Sequence, residues 1–218
     1  MSDLNDEMRE GIVFIGSALG PLYLSDPKLD AEKVAPVFKA IQDLDVDEAS
    51  RDWPFAAQDV VHVYLTWMQD GLSHGASEDP DLIWEYRMLF VGPDKKAAPP
   101  WGSVYTDKDM VTFGASTMQL RDFLRLNGVH VARMASDEPE DHVGTMLELM
   151  AWICANKPEL LEEYLQEHFL TWASHFLEQA EHAAEQPFYR GLAGLTRVSL
   201  EAIQEKLGLQ VDYPRFYR

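Results

Sequence analysis

Helical spacing of apolar residues is the feature of this sequence that most constrains its fold. In one central segment, Val143, Met146, Leu147, Met150 and Cys154 recur at the i, i+3, i+4 and i+7 positions of a single helix face. Similar spacing runs through most of the chain, and Gly/Ser/Pro-rich linkers that would divide it are lacking. The sequence therefore predicts an all-α fold in a single globular multi-helix domain over residues 1–218.

The predicted helices have recognisable ends. One begins near Glu138, with an early proline and several acidic residues in its first turn. A second opens at Asn156-Lys157-Pro158 and is expected to be interrupted near Thr171. The others are predicted at 8–24, 31–44, 55–72, 81–90 and 188–207, the last ending at Gly208.

The charge balance excludes some classes of partner. There are 18 Lys+Arg against 37 Asp+Glu, which gives a formal charge of −19. Nucleic-acid binders and proteins that bind anionic membranes need clustered cations, so this chain is expected to bind neither. The hydrophobic fraction of 46% is that of an ordinary globular protein, and the acidity therefore does not indicate disorder.

The sequence is typical of a cytoplasmic protein. Residues 1–7 are acidic where a secretory signal would be basic, and there is no apolar run of the ~18 residues that would span a bilayer, so no stable membrane insertion is expected. The one cysteine, Cys154, cannot form an internal disulfide, and its apolar neighbours predict a small buried side chain.

One segment departs from the helical pattern. Residues 92–106 read GPDKKAAPPWGSVYT, with three prolines and two glycines. Irregular connections of this length are uncommon unless they are functional or disordered. Because Trp101 and Tyr105 are unfavourable in a disordered loop, we interpret this segment as an ordered functional loop, with disorder as the alternative.

Most catalytic motifs are lacking. The sequence has no Walker-type phosphate loop, no GxGxxG, no GxSxG, no HExxH and no CxxC. His168, His175 and His182 recur at seven-residue spacing, but positions two turns apart on a helix are separated by ~10.5 Å, too far to share one metal ion. We interpret them as a partly buried helical stripe.

Two other groups of residues could serve function or structure. Glu138 and His142 are four apart beside Asp141, which suits a metal site, a general base or a receptor for a guanidinium group, or else a helix start loaded with acids. Spacing does not choose between these. Tyr86, Leu89 and Phe90 form an aromatic–aliphatic stripe that is typical of a core but leads into the 92–106 loop.

Five segments together resemble a known family. They are YRMLFVGP at 86–93, PPWGSVY at 99–105, FGAST at 113–117, EPEDHVG at 138–144 and PFYR at 187–190. In this order they resemble the TorD/DmsD/NarJ family of redox-enzyme maturation chaperones, and most closely its DmsD branch, whose clients are dimethyl sulfoxide reductase-type molybdoenzymes.

The resemblance implies the TorD/DmsD-like all-α fold, no catalytic activity and no cofactor. Its implied partners are the twin-arginine leader and precursor of a molybdoenzyme catalytic subunit, held back from Tat export until the cofactor is inserted, and components of the Tat translocon. Monomer and dimer are both left open. The implied leader-binding residues are Tyr86, Leu89, Phe90, Pro100, Trp101, Tyr105, Gly114, Glu138, Pro139, Asp141 and His142.

The chemistry of such a leader suits these residues. Leu89, Phe90, Trp101 and Tyr105 would take its apolar segment, Glu138 and Asp141 its arginines, and His142 would orient Asp141 or respond to pH. The alternative function is a helical metal-dependent hydrolase or nucleotide-binding enzyme that uses Glu138, Asp141 and His142.

Overall fold

The fold is all-α, as predicted. We analysed a computed structural model, which describes residues 4–73, 78–92, 96–130 and 139–218. These residues contain no strand, and their β-type pairing is an isolated bridge. The helices are α1 (Asp6–Leu24), α2 (Ala31–Gln42), α3 (Val46–Asp52), α4 (Gln58–Gly71), α5 (Pro80–Tyr86), α6 (Gly102–Thr106), α7 (Ala115–Leu126), α8 (Val143–Asn156), α9 (Leu161–Glu163), α10 (Leu170–Ala183) and α11 (Pro187–Leu207).

Two short π-helical segments and one 3₁₀ turn connect some of these helices. The π-helices are Arg87–Val91, directly after α5, and Tyr164–Phe169, between α9 and α10, and the 3₁₀ turn is Pro158–Leu160. The interruption predicted near Thr171 therefore occurs slightly earlier, where π-helix gives way to α-helix at Leu170. None of the helices in the described part of the chain is both long enough and apolar enough to cross a membrane.

The chain divides into two compact units, each assembled from segments that are distant in sequence. Unit 1 consists of Met1–Gly20, Pro100–Phe176 and Leu209–Arg218. Unit 2 consists of Pro21–Pro99 and Leu177–Gly208. The organisation as one domain over 1–218 stays a prediction.

Helix α8 forms the centre of unit 1. Val143, Met146, Leu147, Met150 and Cys154 are all fully buried, which confirms the predicted apolar face and the buried cysteine. Helix α1 packs closely on α8: a Cβ at its Gly16 would lie only 2.3 Å from the Leu147 carbonyl oxygen. The side chain at this crossing therefore has to be a hydrogen atom.

Helices α4 and α11 form the centre of unit 2, and glycine again permits their close approach. A Cβ at Gly194 would lie 2.1 Å from the Tyr64 ring. The start of α11 is held by Glu85 of α5, whose carboxylate accepts the backbone N–H groups of Glu185 and Gln186. Burial raises the pKa of Glu85 to about 7, although these hydrogen bonds oppose the shift.

Several predicted boundaries were wrong. The helix expected near Glu138 begins at Val143, because His142 has the extended backbone of an N-cap (ψ 131°). Helix α6 lies inside the loop predicted at 92–106, and the prediction missed α3 and α7. The helix predicted at 188–207 is confirmed to within one residue as α11, and Gly208 ends it in the left-handed conformation (φ 65°).

Candidate functional site

Two motifs about 40 residues apart in sequence meet in unit 1. Trp101 and His142 form an antiparallel bridge. The Val143 N–H donates to the Pro100 carbonyl at 2.8 Å, and the Gly102 N–H donates to the Asp141 carbonyl at 3.1 Å. The bridge therefore joins the start of α6 to the start of α8, and it places Trp101 beside Asp141 and His142.

Asp141 is a buried acid at this junction. Its side chain is 3% exposed, and Oδ2 accepts the Ser103 N–H at 2.7 Å. Oδ1 is buried and has no hydrogen-bond partner among the described residues. Burial raises the pKa of Asp141, while the Ser103 N–H and the nearby hydroxyls of Ser103 and Thr117 lower it in part. The carboxylate thus has unused capacity to accept a hydrogen bond.

His142 caps helix α8. Its Nδ1 accepts the Gly144 N–H at 3.2 Å, which places the proton of the neutral ring on Nε2. The imidazole also contacts the Trp101 indole, with ring centroids 6.0 Å apart in an edge-to-face arrangement. Burial lowers the pKa of His142 to about 3, so the side chain is neutral at physiological pH. In this conformation the His142 side chain acts as the N-cap of α8.

The remaining acids of the EPED segment differ in what they contact. Glu138 lies outside the described residues. Glu140 is paired with Arg121 of α7 at 2.5 Å. Pro139 is buried, and its carbonyl accepts the His142 N–H at 3.1 Å. The prediction of a helix that begins near Glu138 and includes His142 is wrong, because residues 139–142 are not helical.

Tyr105 lies in the core of unit 1. It is fully buried, with its ring stacked on Trp172 at 6.3 Å and 9°. The C-terminal segment covers it: the Tyr217 N–H donates to the Tyr105 carbonyl at 3.0 Å, and the Phe216 ring stacks on His175 at 4.1 Å. Trp101, by contrast, is only half-buried.

Gly114 leaves room for the side chain of a neighbouring acid, Asp107. It precedes α7, and a Cβ at this position would lie 1.7 Å from Oδ2 of Asp107. The same carboxylate accepts the Ser116 N–H at 3.4 Å, at the start of α7. Any larger residue at 114 would therefore displace Asp107.

The other predicted leader-binding residues form part of the core of unit 2. Tyr86, Leu89 and Phe90 are each less than 5% exposed. The Tyr86 hydroxyl donates to the Tyr23 carbonyl at 3.0 Å, and its ring packs edge-to-face on Phe90. Their contact with a leader stays a prediction.

Unit 1 also contains an acidic pocket that sequence reasoning missed. It has a volume of about 340 Å³, and among the residues that the structure describes no lysine or arginine lines it. Burial lowers the pKa of His168, which lines the pocket, to about 4, so the imidazole is neutral near pH 7. The carboxylates come from four places in the sequence, which is why no local motif indicated the pocket: they belong to Asp107, Asp141, Glu167 and Asp212.

An exposed apolar segment adjoins this pocket. Met110, Val111, Phe113 and Met118 are each 40–50% exposed. Met110 and Phe113 have positive φ angles of 50° and 62°, a conformation that is unfavourable for residues with a side chain. Asp107, which precedes this segment, and Ala115, which belongs to it, line the pocket. We refer to residues 110–118 as the apolar segment.

The histidine stripe makes separate contacts. His175 lies against Phe216, and its Nε2 is 2.7 Å from the Arg218 carbonyl. His182 pairs with the Glu178 carbonyl, and His168 contacts the Phe123 ring. Within the described ranges, no three His, Cys, Asp or Glu side chains are placed to hold a metal ion.

Comparison with known proteins gives consistent results. The family described as nitrate reductase delta subunit matches residues 56–180. The chain is 41% identical to a probable Tat proofreading chaperone DmsD of Haemophilus influenzae, over 77% of this chain and 80% of that protein. It is 32% identical to the Tat proofreading chaperone DmsD of Salmonella paratyphi A, over 96% of this chain and 97% of that protein. The chaperone protein TorD of Vibrio cholerae is 31% identical, over 57% of this chain and 60% of that protein.

Proposed function

Because this chain belongs to the nitrate reductase delta subunit family, whose relatives named above are chaperones rather than enzymes, we propose that it is a system-specific chaperone for a Tat-exported molybdoenzyme. It binds the twin-arginine signal peptide of a dimethyl sulfoxide reductase-type catalytic subunit in the cytoplasm. Export is thereby delayed until the cofactor has been inserted and the subunit has folded.

The observation that carries this proposal is the bridge between Trp101 and His142. It joins the PPWGSVY and EPEDHVG segments, two of the five that carry the resemblance to redox-enzyme maturation chaperones. A half-buried indole beside an acid with an unpartnered oxygen suits a ligand that is both apolar and cationic. A twin-arginine leader has this composition.

The predicted leader-binding residues fall into two roles under this proposal. Trp101 is accessible and contacts the leader. Tyr105 and the cluster of Tyr86, Leu89 and Phe90 are buried, so they act by holding the surrounding helices in place. The formal charge of −19 adds a long-range attraction for a cationic peptide and speeds its encounter with the chaperone.

Calorimetric titration of the full-length protein tests the proposal. The ligands are synthetic leaders of several dimethyl sulfoxide reductase-type enzymes and, as controls, scrambled peptides of the same composition. We expect one of the native leaders to bind at least tenfold more tightly than its scrambled version. Equal binding of native and scrambled peptides, or no binding of any leader, would refute a signal-peptide chaperone.

The delay of export is tested separately in cells that contain the client. A deletion of the chaperone is expected to lead to export or degradation of cofactor-free precursor, and the intact gene to restore the loaded enzyme. Normal amounts of loaded, exported enzyme in the deletion strain would contradict this part of the proposal.

A further inference from the structure

The acidic pocket of unit 1 has the electrostatics of a cation site. Carboxylates of Asp107, Asp141, Glu167 and Asp212 line it, and none of them takes part in an ion pair within the described part of the chain. Its histidine is neutral. The four carboxylates together attract positive charge, although Glu167 and Asp212 are exposed and solvent screens them in part.

Asp141 gives an independent indication of a ligand. It is 3% exposed and lines the pocket, yet its Oδ1 lacks a hydrogen-bond partner among the residues described. Buried acceptors are nearly always satisfied by protein, water or ligand. A donor that enters the pocket would compete with the hydroxyls of Ser103 and Thr117 for this carboxylate.

An arginine side chain suits the pocket better than a metal ion does. The described carboxylates are too dispersed for three of them to hold one metal. A planar guanidinium carries five donors and reaches several carboxylates at once. The volume of about 340 Å³ is in the range of small-ligand sites.

The apolar segment adds the second half of a composite surface. Met110, Val111, Phe113 and Met118 are exposed beside the pocket, and methionine side chains adapt to varied apolar partners. We propose that this surface receives the start of the leader, with one arginine of the pair in the acidic pocket and the following apolar residues on the apolar segment. This inference rests on the proposed function and names its binding surface.

A double-mutant cycle tests the pocket. The full-length protein and its Glu167→Gln and Asp212→Asn variants are titrated with an Arg-Arg leader and its Gln-Gln version. We expect each substitution to weaken binding of the Arg-Arg leader about tenfold and to leave binding of the Gln-Gln leader unchanged. Glu163→Gln is the matched control, because Glu163 is exposed, loses the same charge and does not line the pocket.

A second variant tests the apolar segment. Phe113→Ser is expected to weaken the Arg-Arg and Gln-Gln leaders by the same factor, about tenfold, since it alters contacts that both versions make. Thermal unfolding of every variant checks that the fold is retained.

The outcomes separate this inference from the proposed function. If the wild type binds the leader and the pocket variants lose no more affinity than Glu163→Gln, the pocket assignment is overturned and the chaperone proposal stands. If Phe113→Ser binds the leader as tightly as the wild type does, the apolar segment is not part of the binding surface. Stoichiometric binding of Mg²⁺ or Zn²⁺ alone that Glu167→Gln abolishes also overturns the assignment. If no leader binds the wild type, both proposals fail.

Discussion

The carboxylate of Asp141 accepts the backbone N–H of Ser103 at 2.7 Å, across 38 residues of sequence. This hydrogen bond anchors the first turn of α6, and therefore Trp101, to the segment that precedes α8. The residue that forms this anchor is a buried acid whose pKa is raised. Its negative charge lowers the stability of the fold but would favour binding of a cationic ligand.

Asp141→Asn is expected to have different effects on stability and on binding of the leader. Asparagine keeps an oxygen that can accept the Ser103 N–H but removes the charge whose burial is unfavourable. Because the folded-state pKa is raised, wild-type stability falls as pH rises above the ordinary pKa of an aspartate, and the variant lacks this loss. At pH 7 we expect urea unfolding to show equal or higher stability, and calorimetry to show weaker, less salt-dependent binding of an Arg-Arg leader.

Asp141→Ala is the control for that comparison. It removes the acceptor of the buried Ser103 N–H and is expected to lower the free energy of unfolding by about 1–3 kcal/mol. If asparagine destabilised the protein as much as alanine does, the anchoring hydrogen bond would not be the reason that an acid is accommodated here.

His142 is expected to make the protein sensitive to acid. The folded-state pKa of His142 is lowered from 6.5 to about 3, so its contribution to stability is lost as pH falls through that interval. His142→Asn keeps a side chain that can cap α8 and should flatten the pH dependence of urea unfolding below pH 6.5. His168, with a pKa of about 4, leaves some dependence in the variant. Identical pH profiles for the two proteins would contradict this role.

Glu85 is expected to have the opposite pH dependence. Its folded-state pKa is raised from 4.5 to about 7, so stability falls as pH rises across that range. Glu85→Gln keeps an acceptor for the backbone N–H groups at the start of α11. Its free energy of unfolding in urea should therefore rise relative to that of the wild type as pH rises from 4.5 to 7. Glu85→Ala leaves two backbone N–H groups without this acceptor and should cost about 2–4 kcal/mol.

Gly194→Ala is expected to destabilise unit 2. In an open helix this change adds roughly 1 kcal/mol of stability, but here the Cβ would lie 2.1 Å from the Tyr64 ring. We expect a loss of about 1–3 kcal/mol in chemical unfolding. Glu205→Ala, at an exposed position of the same helix, should change stability by less than about 0.5 kcal/mol. A stabilising Gly194→Ala would mean that the two helices separate easily.

Trp101 and Leu89 are expected to behave differently, although sequence alone suggests the same role for both. Trp101→Ala should weaken binding of the leader by about 2 kcal/mol with little change in the unfolding temperature, because the indole is half-buried. Leu89→Ala should lower stability by about 2–5 kcal/mol, because Leu89 is 1% exposed. Calorimetry and thermal unfolding of both variants check this contrast.

The sequence predicted the fold class and most long helices because their apolar faces are periodic. It missed α3, which is only seven residues long, and also α7, although the buried Thr117, Leu120, Phe123 and Leu124 of α7 recur at helical spacing. The early start assigned to α8 has a physical cause: acids and a proline suit a first helical turn, but the bridge to Trp101 holds His142 in an extended conformation.

The candidate site could be predicted only where its residues are close in sequence. Asp141 and His142 are adjacent, and Trp101 stood out as an aromatic in a proline-rich loop. The acidic pocket depends on Asp107, Glu167 and Asp212, which tertiary packing brings together from separate segments. Burial could not be predicted either, since an aromatic stripe such as Tyr86 and Phe90 suits a binding surface and a core equally well.

The division of each unit among distant segments bears on how the chain is made. Unit 1 needs Leu209–Arg218, whose Tyr217 pairs with Tyr105, and unit 2 needs Leu177–Gly208. Neither unit can complete its core before these segments have joined residues that lie far earlier in the sequence, and such long-range contacts favour slow folding. A protein proposed to protect an unfinished enzyme therefore depends, for both of its own cores, on residues 177–218.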